Sequence, residues 1–123
     1  AAPALHLAVA VRGEDVLLNS HQATSLALVV NELLQNAVEH AFPDRTDGRI
    51  EIRLLPQDGG LVLEVQDDGA GLPPGFEPTA GDDLGLKIVH ALVTEDLGGS
   101  IAFHDGGGTT AVITVPRLER LRG

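Results

Sequence analysis

The sequence predicts a two-layer α/β sandwich, in which a mixed and mainly antiparallel sheet is covered by helices on one face. Three observations lead to this fold class. Short segments of alternating apolar and polar residues occur in pairs joined by turn residues, as hairpins require. Two longer segments repeat apolar residues at helical spacing. Strands outnumber helices, and two long helices are enough to cover one face of five or six strands.

The first predicted elements are a strand, a short return strand and a long helix. Apolar residues alternate over residues 5–11, and a polar turn separates this strand from a return strand over residues 16–18. Asn19 or Ser20 is suited to cap a helix that runs from about residue 22 to residue 42. Its core face is expected at Leu26, Val30, Leu33, Ala37 and Ala41.

The rest of the chain predicts a hairpin, a loop, a second helix and a closing hairpin. Alternation on both sides of a Pro- and Gly-containing turn predicts the first hairpin over residues 49–65. The segment 67–81 is rich in Gly, Pro and Asp and is interpreted as a loop. An amphipathic helix is expected over 84–97, ended by two glycines, and strands are expected at 100–104 and 110–115.

Composition limits the possible functions. The chain has 123 residues, which fits a single domain over residues 1–123, and it contains no cysteine for a disulfide, a thiolate site or a Cys nucleophile. Its formal net charge of −10 should repel nucleic acids and anionic membranes. The absence of cysteine suits a reducing compartment, and we expect a cytoplasmic domain.

No segment suggests membrane insertion by this domain. The longest strongly apolar stretch, Leu26–Val30, ends at Asn31, far short of the roughly 20 residues that span a bilayer. Because the sequence lacks an initiator methionine, we expect it to be a piece of a longer protein, which could itself be soluble or membrane-anchored.

A polar stripe on the first helix is the first candidate for chemistry. Glu32, Asn36 and His40 follow one another at intervals of four residues and therefore share one side of the helix. Glu32 could orient or deprotonate an attacking group, Asn36 offers an amide oxygen to Mg²⁺, and His40 could reach a phosphate or ribose. The alternative is an ordinary solvated face.

A strand that ends in Asp67-Asp68-Gly69-Ala70-Gly71 is the second candidate. The Asp67 carboxylate can accept a hydrogen bond from an adenine amino group, while Gly69 and Gly71 let the backbone come close to a ligand. Asp and Gly are also common in plain turns at strand ends. Together with the polar stripe, this motif predicts a pocket for Mg²⁺ and ATP between the helices and the sheet.

Two further glycine motifs lie near the second helix and the last strand. Gly81–Val89 opens the helix, and Gly85 and Leu86 in its first turn are predicted to contact the nucleotide, because N–H groups at a helix start bind phosphate. Thr109, after Gly108, could reach adenine through a water molecule. A simple Asp N-cap and a glycine hairpin turn are the respective alternatives.

Read in order, these motifs resemble the ATP-binding catalytic domain of bacterial sensor histidine kinases, which shares a superfamily with gyrase, the heat-shock chaperone ATPase and the mismatch-repair ATPases. The segment Asn31–Phe42 resembles the N box. Asp67–Gly71 and Gly81–Val89 resemble the first and second glycine boxes, and Gly108-Thr109 resembles the conserved end of the domain. The resemblance covers nearly the whole chain.

The resemblance implies a fold, a set of roles and a set of partners. It implies the Bergerat ATP-binding fold, with Asn36 as a Mg²⁺ ligand, Asp67 as the residue that recognises adenine, and Glu32 as the residue that assists phosphoryl transfer. Gly69, Gly71 and Gly85 would shape the pocket and the lid. The γ-phosphoryl group of ATP would pass to a histidine on a separate helical-hairpin domain of the parent chain, and then to an aspartate on a response regulator.

Some residues depart from the family pattern and leave two alternatives. Glu39 stands where a lysine is common, Asp83 replaces a frequent glycine, and only Phe76 could serve as an aromatic residue of the very short lid. A serine or threonine kinase of the anti-sigma type would use the same fold. A non-catalytic nucleotide sensor, in which ATP only orders the lid, is the other alternative, and it is motivated by the two acidic substitutions.

Overall fold

The computed structural model describes residues 4–72, 76 and 84–118 of the chain. Two α-helices, one π-helical turn and five strands are found in this part. In chain order they are β1 (His6–Gly13), α1 (Ser20–His40), β2 (Asp47–Gln57), β3 (Gly60–Asp67), α2 (Leu84–Ala91), the π-helical turn (Leu92–Asp96), β4 (Ser100–Asp105) and β5 (Thr109–Val115).

The strands form one mixed sheet in the order β1-β2-β3-β5-β4. β1 and β2 run parallel, since α1 connects them, and the other three pairs are antiparallel. The predicted hairpins are the pairs β2/β3 and β4/β5. Three of the four strand pairs are antiparallel, and this sheet with its helices confirms the predicted two-layer α/β sandwich with a mainly antiparallel sheet.

The prediction of a return strand at residues 16–18 is wrong. Residues 14–19 form no regular element, and β2 rather than this segment pairs with β1. Val16 and Leu18 are partly buried against the hydrophobic core, whereas Leu17 is 83% exposed. The alternating pattern therefore reflects side chains that pack while the chain passes from the sheet to the helix layer.

Helix α1 begins at Ser20 with Asn19 as its N-cap, and the Asn19 side chain accepts a hydrogen bond from the Gln22 backbone N–H at 2.8 Å. It ends at His40, three residues before the proline that prevents its continuation. Val29 is fully buried where Val30 was expected to be, and Val30 is only partly buried. The rest of the expected core face is buried.

The core lies between the helices and the covered face of the sheet. Aliphatic side chains supply almost all of it, as the scarcity of aromatic residues requires. Its most deeply buried members are Ile50, Leu61, Leu63, Ile113, Val29, Val89, Val93 and Val115. They come from α1, α2, the π-helical turn and the strands β2, β3 and β5, so burial of this core fixes the helices over the centre of the sheet.

The second predicted helix is interrupted near its end. α2 stops at Ala91 and continues as the π-helical turn, in which the Leu97 N–H donates to the Leu92 carbonyl at 3.0 Å. Asp96 in this turn accepts a hydrogen bond from the buried Ser25 hydroxyl of α1 at 3.2 Å. This hydrogen bond therefore links the π-helical turn, which continues α2, to helix α1. Within the described residues, no helix has both the length and the apolar character needed to cross a membrane.

Candidate functional site

The Asp67 carboxylate is the centre of the candidate site. It is the last residue of β3 and is 9% exposed. Its Oδ1 accepts hydrogen bonds from the backbone N–H of Gly69 at 2.9 Å and of Thr109 at 3.2 Å. Within the described part of the chain, both hydrogen bonds to this side chain end on Oδ1, which leaves Oδ2 to accept from a ligand.

The loop after Asp67 lies directly on the end of α1. The Ala70 N–H donates to the Ala41 carbonyl at 2.8 Å, and this bond satisfies an acceptor that the helix itself leaves unpaired. A Cβ on Gly69 would lie only 2.2 Å from the same carbonyl oxygen. Only glycine allows this close approach, so Gly69 is needed to seat the loop against the helix.

Gly71 has a left-handed backbone with φ of +84°, and the Asp105 side chain at the end of β4 lies beside it. A Cβ on Gly71 would meet the Asp105 carboxylate. Sequence reasoning did not single out Asp105. Its position opposite Thr109 in the β4/β5 pair was available only from the register of that hairpin.

The predicted stripe on α1 is present as a helical face. Glu32 and Asn36 are half-buried, and neither side chain hydrogen-bonds to or pairs with the described part of the chain. His40 is exposed, and its Nε2 lies 3.7 Å from a Glu39 carboxylate oxygen. The stripe therefore runs along α1 toward the end of the helix that is in contact with the loop after Asp67. The roles of the three residues stay predictions.

Asn36 is suited to contribute a single oxygen ligand to Mg²⁺. Among the described residues, no group of three His, Cys, Asp or Glu side chains could cage a metal ion. Magnesium, however, is usually held by one or two protein oxygens, with phosphates and waters completing the octahedron. A half-buried amide that has no hydrogen-bond partner among residues 4–72, 76 and 84–118 fits that limited contribution.

The second helix presents its two predicted contact residues differently. Gly85 is half-buried in the first turn of α2, whereas the Leu86 side chain is 6% exposed and belongs to the core. A contact from Leu86 to a nucleotide would therefore involve its backbone. Asp83 and most of the predicted loop, including residues 77–83, lie outside the described residues.

Phe76 was predicted as the aromatic residue of the lid, and it is the one residue between positions 73 and 83 that the structure describes. Its ring packs edge-to-face against the ring of Phe103 on β4, with the centroids 5.5 Å apart. Such pairs are favourable beyond the apolar area that they bury. The sequence indicated Phe76 as the aromatic residue of the lid but gave no indication of its partner, because the contact spans residues distant in the chain.

A second group missed by sequence reasoning surrounds Asp68. The Arg45 guanidinium donates from Nη1 to the Asp68 carbonyl at 2.7 Å and pairs with its carboxylate at 3.4 Å. The Arg49 backbone N–H also donates to this carboxylate, at 2.9 Å. The hydrogen bond from Arg49 and the charge of Arg45 lower the pKa of Asp68. The doubled aspartate was the only signal in the sequence.

The architecture and the fixed carboxylate define the class of this protein as a two-layer α/β domain with a candidate ligand site at the end of a central strand. A profile of the family described as "Histidine kinase-, DNA gyrase B-, and HSP90-like ATPase" matches residues 21–119. The chain therefore belongs to this family, and the resemblance read from its motifs is confirmed.

Curated relatives are named as histidine kinases. The sensor histidine kinase PdtaS of Mycolicibacterium smegmatis is 46% identical over 110 residues, which are 87% of this chain and 22% of the relative. Blue-light-activated histidine kinase 2 of Erythrobacter litoralis is 35% identical over 114 residues, 91% of this chain and 33% of the relative. The chain thus spans about a fifth to a third of these relatives.

Solved structures show the same fold. The histidine kinase domain of the Erythrobacter litoralis EL346 blue-light activated histidine kinase superposes with a TM-score of 0.80 at 35% identity, over 89% of this chain and 51% of that one. The catalytic domain of the histidine kinase ThkA superposes with a TM-score of 0.70 over 92% of this chain and 82% of that one. At 20% identity, the second likeness concerns the fold alone.

Proposed function

We propose that this chain is the Mg-ATP-binding catalytic domain of a sensor histidine kinase, and that it transfers the γ-phosphoryl group of ATP to a histidine on a separate helical-hairpin domain of its parent. The observation that carries the proposal is the Asp67 carboxylate, buried and held by two backbone N–H groups with Oδ2 left to accept. The family match and the named relatives support the reaction class.

In the proposed complex, Asp67 Oδ2 accepts from the amino group of adenine, and the backbone around Gly69 and Gly71 lies close to the base. Thr109 lies beside this contact, since its N–H bonds the same carboxylate. His40 and the start of α2, at Gly85 and Leu86, are the proposed contacts to ribose and phosphates. Asn36 would hold Mg²⁺, which offsets the charge of the phosphates when it is bound.

Glu32 is the proposed catalytic residue. The histidine nitrogen forms a bond to the γ-phosphorus while the bond from that phosphorus to the β,γ-bridging oxygen breaks, and ADP leaves. Glu32 orients the imidazole or takes its proton. Such transfer depends mainly on positioning and on charge compensation, so a small domain can perform it. The phosphoryl group then passes to an aspartate on a response regulator.

The experiment combines this chain, Mg-ATP labelled at the γ-phosphate, and the helical-hairpin domain encoded with it. We expect a labelled, acid-labile phosphohistidine on the hairpin domain, and loss of labelling with Glu32→Gln. Nucleotide binding without any labelling of a histidine would overturn the kinase assignment. Label on serine or threonine of another protein would favour the anti-sigma type of kinase instead.

A nucleotide sensor without transfer activity is the second candidate, and Glu39 favours it. This exposed carboxylate lies 3.7 Å from His40, so it adds negative charge beside a residue proposed to approach the phosphates. In a sensor, Glu32→Gln should leave the biological output of the full-length parent unchanged. Loss of output in that variant would exclude the sensor.

A further inference from the structure

We propose that Arg45 is a positioning residue that sets where Asp67 stands relative to helix α1, and so matches the adenine contact to the metal and phosphate contacts of the same nucleotide. The inference rests on the proposed function, because it concerns the geometry of that site. Arg45 lies in the connection between α1 and β2, outside every motif that sequence reasoning assigned to nucleotide.

The Arg45 side chain connects the end of α1 to the residue after Asp67. Its guanidinium lies over the ring of Phe42, 5.2 Å from the centroid, within the range of a cation–π interaction. The same group donates to the Asp68 carbonyl at 2.7 Å and pairs with the Asp68 carboxylate at 3.4 Å. A planar guanidinium can stack on the ring while it donates in its own plane to both oxygens, and a lysine ammonium has no flat face for this combination.

Both ends of this connection are themselves fixed. Phe42 is 6% exposed, and its ring lies so close to Gly48 that a Cβ there would come within 2.6 Å of it. Asp68 exchanges backbone and side-chain hydrogen bonds with Arg49, at 3.1 Å and 2.9 Å. Arg45 therefore contacts two residues that are each held in place by other contacts. A side chain can position one segment relative to another only when both of its partners are held in this way.

The loop after Asp67 has a second attachment near the end of α1. The Ala70 N–H bonds the Ala41 carbonyl three residues after Asp67, while Arg45 binds Asp68 immediately after it. These two attachments, at Asp68 and Ala70, join the loop to the connection after α1 and to the end of α1, and together they help to define its orientation as well as its distance. Without Arg45, the loop loses its contact with the connection after α1, and the angle of Asp67 to the stripe of Glu32 and Asn36 then depends on the Ala70 bond and on the Arg49 contacts alone.

The test is a double-mutant cycle on Mg-ATP affinity, measured by calorimetry with Arg45→Ala, Asp67→Asn and both together. Arg45→Ala should weaken binding about tenfold, the low end of what loss of an orienting partner costs at metal sites. If Arg45 acts through Asp67, the double variant should bind no more weakly than Asp67→Asn alone. Losses that simply multiply would overturn the inference.

A conservative variant and a matched control complete the design. Arg45→Lys keeps the charge but not the fork, so we expect an affinity between those of Arg45→Ala and the wild type; wild-type affinity in this variant would contradict the role assigned to the fork. This variant also serves if the alanine variant does not fold. Arg12→Ala removes another arginine, 3.5 Å from Glu51, and should leave Mg-ATP affinity unchanged.

The wild-type titration separates the two proposals. No binding of Mg-ATP by the wild type would overturn the proposed function and the role of Arg45 with it. Binding by the wild type with unchanged affinity in Arg45→Ala would overturn the positioning role alone. Urea unfolding of each variant identifies any loss of affinity that comes only from a smaller folded fraction.

Discussion

At Asp67 the carboxylate is oriented before any ligand arrives. Two backbone N–H groups bind one oxygen of a side chain that is itself buried, so the carboxylate is held in one orientation. A prepared acceptor of this kind lowers the cost of ordering that binding must otherwise overcome. This fixed orientation also makes Asp67 suitable for a mutational test, because exchanging its carboxylate for an amide alters the acceptor while it preserves the shape of the side chain.

Asp67→Asn should weaken adenine nucleotide binding by about 1.5–3 kcal/mol, the range for a hydrogen bond to a charged group. Calorimetry with ATP measures the loss. Asp58→Asn is a suitable control, because Asp58 lies in the turn between β2 and β3 with φ of +51°, a conformation that asparagine also adopts. Equal affinity of Asp67→Asn and the wild type would refute the assigned pocket.

Asn36→Ala tests the metal contact. The variant lacks the only oxygen that we assign to Mg²⁺, so ATP affinity should become nearly independent of Mg²⁺, while the wild type binds more tightly when the ion is present. Paired titrations with Mg²⁺ and with a chelator measure this difference. A variant that keeps the full Mg²⁺ dependence would show that another group holds the ion.

At the scale of elements, four other segments meet the chain where β3 ends. The loop after Asp67 is bonded to the end of α1, and the start of β5 contributes the Thr109 N–H. Asp68 attaches the same loop to the start of β2 through Arg49 and to the α1–β2 connection through Arg45. The site is therefore held by the junction of these elements rather than by one loop.

Asp68→Asn tests how much this junction contributes to the stability of the fold, and the difference in stability between the variant and the wild type should depend on pH. Because its partners lower the pKa of Asp68 below the usual 3.8, the carboxylate stabilises the fold at neutral pH. This stabilisation is fully present above that value and is lost as pH falls through the lowered pKa. The variant should be less stable by about 1 kcal/mol at pH 7, as for partly exposed pairs, and the difference should vanish in acid.

Urea unfolding of Asp68→Asn and the wild type from pH 7 down to pH 3 measures that difference. Taking the difference removes the contribution of other carboxylates that titrate in both proteins. A destabilisation that stays constant down to pH 3 would mean that the charge of Asp68 is not the cause.

Sequence reasoning succeeded where local pattern and local chemistry agree. Apolar alternation predicted the strands of both hairpins, and the Asn19 cap and Pro43 bracketed α1. It failed at residues 16–18, because half-buried loop residues can alternate as a strand does. It also missed Arg45 and Asp105, whose partners lie more than twenty residues away and are brought near only by the register of the sheet.

At the scale of the whole molecule, the acidic charge opposes both the fold and the proposed ligand. A net charge of −10 on 123 residues produces repulsion that the compact state concentrates. Ion pairs such as Arg53 with Glu64 at 2.8 Å offset it only locally. We therefore expect ionic strength to change the stability of the protein through its total charge rather than through any single ion pair.

Sodium chloride should raise the stability of this chain. Salt at about 0.5 M screens charges beyond a few ångströms, so it should weaken the general repulsion more than it weakens short ion pairs. Urea, which is uncharged, allows the midpoint of unfolding to be compared at low and high salt. A midpoint that falls on addition of salt would show that the ion pairs outweigh the repulsion.

The two N–H groups that hold the Asp67 carboxylate come from residues 69 and 109, which are 40 positions apart in the chain. Residue 109 belongs to the final hairpin, so a folding chain holds the Asp67 carboxylate by both N–H groups only after β5 has docked against β3. The prepared acceptor is therefore a property of the completed sheet, and a chain in which that hairpin is detached keeps only the Gly69 bond to this carboxylate.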